Sequence, residues 1–443
     1  MAGRLHRLDK SQPKLIALNC IHIAICCISL VSVSALYADY HISYYPSGLF
    51  RAVVVILAFA VVSALFAFAR ASFGYLLGFY FYTMIVGYLW LNVFSDFSYN
   101  HALTGLSAAA SAVAFLLPAL FITSPVHQVY VPSSSTFDRL LTCILLLAAA
   151  TIAAGASYHF RFVRIENIYS FREHLAFPTI LNYLLDIASN ALLPFVFACF
   201  VTRRYFWRAG VVLLLMSLVY PINLSKLALF TPVWLVAMAL VSKIFDFKIT
   251  VTLSVLVPLS LGIVLAVLYR NEAISYNAAM PFFGLVNFRM IAIPSLAMDY
   301  YNYFFSTHDL TYFCQMRLLK GLVSCPYQEQ LGVVINNAFG IGGNFNASLF
   351  ATEGIASVGP VFAPFTAVAC GLIIALGNRL SAGLPSRFIL ISGAILPQAF
   401  LNVPLTTVLL THGCGLLFLL WYITPREVFQ QEDVTEAGTT AIA

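Results

Sequence analysis

Charge is what this chain lacks. Only 9% of its 443 residues are Asp, Glu, Lys or Arg, whereas a soluble domain carries roughly 25%. A chain so poor in charge cannot cover itself for water, which excludes a soluble domain of ordinary size. Zinc-type spacing is also missing, since no cluster of His, Cys and carboxylate fits a metal site. The glycine-rich GIGGN at 340–344 lacks the Lys-Ser/Thr that completes a phosphate loop, so it reads as a turn. No repeat of fixed period runs along the chain, and nothing in it calls for a cofactor.

What is present is apolar. Hydrophobic residues make up 61% of the chain, in runs that reach the roughly 20 residues needed to cross a bilayer core. Backbone groups in lipid must be satisfied within the segment, so the expected fold is all-α: a single polytopic bundle over 1–443 with about 12 helices. The runs fall near 15–37, 52–69, 72–94, 105–122, 140–156, 178–201, 209–222, 227–242, 249–268, 356–378, 388–403 and 405–423. A large loop, 270–355, separates the ninth from the tenth. The seventh and eighth runs meet at PINLSK and are short enough to form a shallow hairpin. The tail 427–443 is polar and expected to be disordered.

The net charge of +6 reflects topology rather than nucleic-acid binding. Arg70, Arg139, Arg203, Arg204, Arg208, Lys243, Lys248, Arg379, Arg387 and Arg426 join the N-terminal basic cluster on one alternating set of connections. Under the positive-inside rule those ends, including both termini, are cytoplasmic. The opposite face breaks the rule twice. Loop 157–177 carries Arg161, Arg164 and Arg172, and loop 270–355 carries Arg270, Arg289, Arg317 and Lys320. Lys226 sits at the PINLSK turn on the same face.

Cations gathered where charge bias would exclude them suit an anionic ligand. Arginine donates two parallel hydrogen bonds to phosphate, and lysine acts as a point charge. The plainer account is that these side chains snorkel or meet lipid headgroups. If loop 157–177 is helical, the spacing of Arg161, Arg164 and Arg172 brings them to one face. Transfer chemistry at a hydroxyl needs a base, and the candidates are His308-Asp309 and Glu353. The acid Glu353 is placed where the large loop re-enters the membrane, a costly position unless it is paired or functional. Asp186 and its neighbour Asn190 read as helix-to-helix contacts. Of nine cysteines, seven lie in apolar runs, while Cys314 and Cys325 share the large loop and could form a disulfide in an oxidising compartment.

With its arginine-bearing outer loops and the stretch GIGGNFNASLFATEGIASVGPVFAPFTAVACGLIIALGNRL, the chain resembles bacterial O-antigen polymerases, the oligosaccharide repeat-unit polymerases. The layout matches over most of the chain. The resemblance implies a metal-independent glycosyltransferase of the bacterial inner membrane, taking part in polysaccharide and lipopolysaccharide biosynthesis. It would move a growing glycan from undecaprenyl diphosphate onto an incoming lipid-linked repeat unit. Arg161, Arg164, Arg172, Arg270 and Arg289 match the essential arginines of two periplasmic loops, although Gly284 does not follow Arg270 at the family's interval. Lys226 matches a basic turn residue. A chain-length regulator and a flippase would be partners. A lipid-linked oligosaccharide flippase would suit the same helix count, and an O-antigen ligase differs only in its acceptor.

Overall fold

The computed structural model describes residues 11–163, 171, 175, 177–316, 323–340, 345 and 351–429. These residues form an all-α polytopic helical bundle, and the protein is a multi-pass membrane protein. In chain order the long apolar helices are α1 (Gln12–Leu36), α2 (Pro46–Phe68), α3 (Phe73–Phe94), α4 (His101–Phe121), α5 (Ser134–Tyr158), α6 (Thr179–Thr202), α7 (Phe206–Asn223), α8 (Lys226–Ile244), α9 (Phe247–Arg270) and α10 (Tyr276–Thr307). A short α11 (Leu331–Phe339) precedes the long α12 (Glu353–Ser381). The chain divides into two compact units, one drawn from Met1–Ile122, Lys248–Ala375 and Phe400–Leu405, the other from Thr123–Phe247, Leu376–Ala399 and Thr406–Ala443.

In the first unit α3 is the core, and every one of its residues is buried. Its sequence, FGYLLGFYFYTMIVGYLWLNVF, has no polar face, the pattern of a helix surrounded by others. Ser72 caps it by accepting from the Tyr75 backbone N–H at 3.2 Å. Thr83 holds His22 of α1 at 2.9 Å, and Tyr80 meets Ser254 of α9 at 3.0 Å. The leading ends of α2 and α4 and the trailing ends of α1, α3 and α9 share one end of this unit, here the Arg270 end. Lys248, which donates to the Ala67 carbonyl at 3.1 Å, marks the other.

The expected large loop is the main correction. Much of 270–355 is helical, and α10 packs into the first unit. Its reading as loop failed because Asn287, Arg289, Asp299 and two prolines interrupt an otherwise apolar run. Although long enough to cross a membrane, α10 begins and finishes at the Arg270 end. Tyr276 rests against Tyr269 at 5.8 Å, and near the far terminus Asp299 accepts from Ser95 and Tyr99. Between those ends, Asn287 donates to Ser29 Oγ at 2.8 Å and to the Leu259 carbonyl at 3.0 Å. Those partners lie about 10 and about 16 Å along their helices from Leu36 and Arg270, at 1.5 Å per residue. That is roughly half of a 30 Å hydrocarbon core. Glycine makes this seat possible, because a Cβ at Gly262 would strike Asn287 Oδ1.

In the second unit α5 and α7 finish at the same end, where the Arg161 N–H donates to the Pro221 carbonyl at 2.9 Å. Arg203 pairs with Asp138 at 2.5 Å at the other end. Both helices flanking PINLSK, of 18 and 19 residues, have spanning length rather than that of a shallow hairpin. The two final spans expected at 388–403 and 405–423 are instead four short helices, α13 (Ser386–Gly393), α14 (Leu396–Asn402), α15 (Leu405–Leu410) and α16 (Cys414–Ile423). Pro404 separates the two runs, and the left-handed Gly413, φ 74°, interrupts the second. Eleven helices among the described residues therefore have spanning length, α10 included, instead of about 12. Within the tail expected to be disordered, Phe429 is buried against the Phe388 ring at 5.0 Å. Residues 430–443 lie outside the described residues.

Candidate functional site

Three π-helical turns interrupt these helices, at Ala188–Leu192, Gly284–Ala292 and Ala351–Ile355. Such turns leave a helix locally wide and occur frequently at functional sites. Arg289 lies in the second and Glu353 in the third. The first holds Asn190, which donates to the Asp186 carbonyl at 2.9 Å and meets His412 at 3.2 Å. That contact fits the structural reading of Asp186 and Asn190.

At the Arg270 end of the first unit, α1, the turn that follows it, the turn after α3 and the end of α9 line an open cleft of about 640 Å³. Arg270 and Asp96 both line it, together with Ser43 and Tyr45 at the mouth and Val31 and Ala35 deeper along α1. Ser43 donates to Asp96 Oδ2 at 2.5 Å, and the Tyr45 hydroxyl donates to the Val93 carbonyl at 3.2 Å. Arg289 is nearby in the fold: Phe288 stacks on Tyr37 at 4.0 Å, one residue before the pocket-lining Ala38. Both arginines are exposed, and among the described residues neither makes a hydrogen bond or ion pair.

A buried carboxylate, Asp299, lies close to Asp96. Asp299 is 1% exposed. Its oxygens accept from Ser95 Oγ at 2.7 Å and from the Tyr99 hydroxyl. Burial, then the neighbouring Tyr88 and Asp299, push the Tyr99 phenol well above its ordinary range, so it stays a donor. The network continues through Asn92 to His101 at 2.9 Å. Asp96 and Tyr99 were overlooked as site residues because SDFSYNH reads as a plain short turn. Its density of polar and aromatic residues was the available signal. Around it, Phe97 packs on Tyr303 at 4.8 Å and on Tyr300 at 5.1 Å.

The candidate bases differ in access. His308 is exposed and stacks on Phe304 at 3.9 Å. Its Nδ1 lies 2.9 Å from the Phe304 carbonyl and 3.0 Å from Thr307 Oγ1, and among the described residues Nε2 has no partner. Asp309 is exposed beside it, and its carbonyl accepts from Tyr327 at 2.9 Å. Glu353 is only 5% exposed. Cys314 and Cys325 form a disulfide, and Thr311 ties the preceding segment to α12 through the Ala356 carbonyl at 2.9 Å.

The second unit brings other predicted cations together. Arg161 lies 4.4 Å over the Phe171 ring, and its backbone bond to Pro221 sets it beside the turn that holds half-buried Lys226. Arg164 and Arg172 lie outside the described residues, as do Arg317 and Lys320, so the expected single helical face of loop 157–177 falls there too. No group of His, Cys and carboxylate among the described residues could hold a metal ion. No family model, curated protein or solved structure matches this chain.

Proposed function

We propose that the protein is an integral-membrane glycosyltransferase that polymerises undecaprenyl-diphosphate-linked repeat units into a surface polysaccharide such as O-antigen. The observation carrying this reading is that Arg270 and Arg289 are exposed and, among the described residues, unpaired, in the unit where His308 is also exposed. A guanidinium group left without a partner in a membrane protein suits an anionic ligand that supplies one. By the charge rule this end faces away from the cytoplasm of a bacterial inner membrane, with both termini inside.

In the proposed step, the bond between the donor sugar's C1 and the diphosphate oxygen breaks. Its electron pair departs with undecaprenyl diphosphate. A hydroxyl oxygen of the acceptor forms the new bond to C1, and its proton passes to Nε2 of His308. Arg270 and Arg289 stabilise the charge that grows on the leaving diphosphate. His308 is favoured over Glu353 as base because an acceptor hydroxyl must come within hydrogen-bond reach. Asp309, adjacent and exposed, orients the acceptor. Arg161 and Lys226 enter the proposal through the family resemblance, as contacts to a lipid-linked diphosphate. A chain-length regulator and a flippase are the proposed partners.

A transporter of lipid-linked oligosaccharides is the second reading. Against it stands Arg270, which lies at the trailing end of α9 rather than at the midplane where transporters bind. The deciding experiment is the surface glycan of a strain lacking the gene. Single repeat units on the lipid core would support a polymerase. Loss of every repeat would indicate a ligase or flippase, and an unchanged ladder would exclude all three.

A further inference from the structure

The pocket beneath Arg270 has a carboxylate that the proposed chemistry does not use. Arg270 and Asp96 line the same space, yet among the described residues they form no ion pair with each other. Two opposite charges that share a pocket without closing on one another leave room for a molecule that needs both. Asp96 is exposed and accepts from Ser43 at 2.5 Å through Oδ2, which leaves Oδ1 available among the described residues. The pocket is also divided by depth. Its mouth is polar, while Val31 and Ala35 line it on the membrane-spanning part of α1.

We propose that this pocket binds the phosphate-proximal sugar of a polyprenyl-linked phosphosugar, with Arg270 on the phosphate, Asp96 accepting from sugar hydroxyls and the first prenyl units along Val31 and Ala35. The inference rests on the glycosyltransferase reading for its ligand class and deepens it by assigning Asp96 as a specificity residue. A carboxylate can take two hydroxyl donors from adjacent sugar carbons, whereas it repels a bare phosphate or an anionic lipid headgroup. Asp96 therefore separates a sugar-bearing carrier from the empty carrier and from ordinary phospholipid. The ring of Tyr45, half on the pocket mouth, is suited to cover a sugar face.

The test is direct binding to the full chain in nanodiscs. The probes are polyprenyl phosphate, polyprenyl phosphate carrying one hexose, and phosphatidylglycerol. The wild type should bind the hexose-bearing carrier about tenfold more tightly than the bare carrier, the value of one charge-assisted hydrogen bond. Asp96→Asn should bring that ratio to about one without weakening the bare carrier, and Arg270→Gln should weaken both carriers by about tenfold. Arg270→Lys, which keeps the charge, should recover part of the binding and so separates ligand contact from misfolding. The inference is overturned if Asp96→Asn keeps the ratio, if Arg270→Gln binds as the wild type does, or if phosphatidylglycerol competes equally with the hexose-bearing carrier. Failure of the function is distinguishable, because a wild-type binding ratio with no polymerising activity would leave this site standing and remove only the polymerase.

Discussion

Arg426 and Arg270 both stand at the end of a helical segment, and they are spent in opposite ways. Arg426 donates to the carbonyls of Thr424 at 2.5 Å, Trp421 at 2.8 Å, Leu380 at 2.9 Å and Ala382 at 3.0 Å. Arg203 closes on Asp138, and Arg387 on the Ala239 carbonyl at 3.0 Å. These second-unit arginines satisfy orphaned helix carbonyls or neutralise a carboxylate, which is structural work. Arg270 and Arg289 in the first unit do none of it among the described residues. The contrast separates cations that hold the fold from cations available to a ligand, a distinction that charge counting along the sequence does not make.

The sharpest way to break this comparison is to exchange the consequences. Arg270→Ala combined with Arg289→Ala should remove long glycan chains, with each guanidinium worth about 10- to 100-fold in turnover, while expression and thermal midpoint stay near wild type. Arg426→Ala should do the reverse, costing about 3 kcal/mol of stability through its uncapped carbonyls and reducing the folded yield. Thermal unfolding in detergent, read beside the glycan ladder, tests both. If Arg270→Ala unfolds the protein, the division between the two classes is wrong.

Smaller effects sharpen the same division within the first unit. Replacing Cys314 and Cys325 by serine should cost about 2–4 kcal/mol by freeing a closed loop in the unfolded chain, measurable as a lower midpoint that reducing agent reproduces in the wild type. Tyr99→Phe should cost about 1–3 kcal/mol, since it removes a donor from a buried carboxylate, whereas Asp96→Asn, on the exposed side, should leave the midpoint unchanged. The smallest effect is on the pH profile. Burial first, then Tyr276 and Tyr40, push the Tyr37 phenol up to about 12. Its contribution to stability is complete below the ordinary tyrosine range of about 10 and is lost as pH rises towards 12. Tyr37→Phe should flatten that alkaline loss.

Much of the fold was legible because apolar run length reports membrane spans directly. The first nine runs coincide with α1 to α9 within a few residues. Legibility failed where polar residues serve the interior. In α10, Asn287 and Asp299 lower the hydropathy that marks a span, yet both are buried with hydrogen-bond partners from other parts of the chain. The final runs were apolar enough to cross, but backbone breaks at Pro404 and Gly413 were invisible to an average over side chains. Arg270 and Arg289 stood out as cations against the charge bias. Asp96 did not, since its meaning depends on a pocket assembled from three separate parts of the sequence.

The most direct measurement is synthesis by the purified full-length protein supplied with undecaprenyl-diphosphate-linked repeat units. The account predicts a ladder of lengthening glycans, one undecaprenyl diphosphate released per bond formed, and loss of the ladder in the Arg270→Ala, Arg289→Ala double variant. A folded protein that leaves the repeat units unchanged, or a double variant that elongates them as well as the wild type, would contradict it.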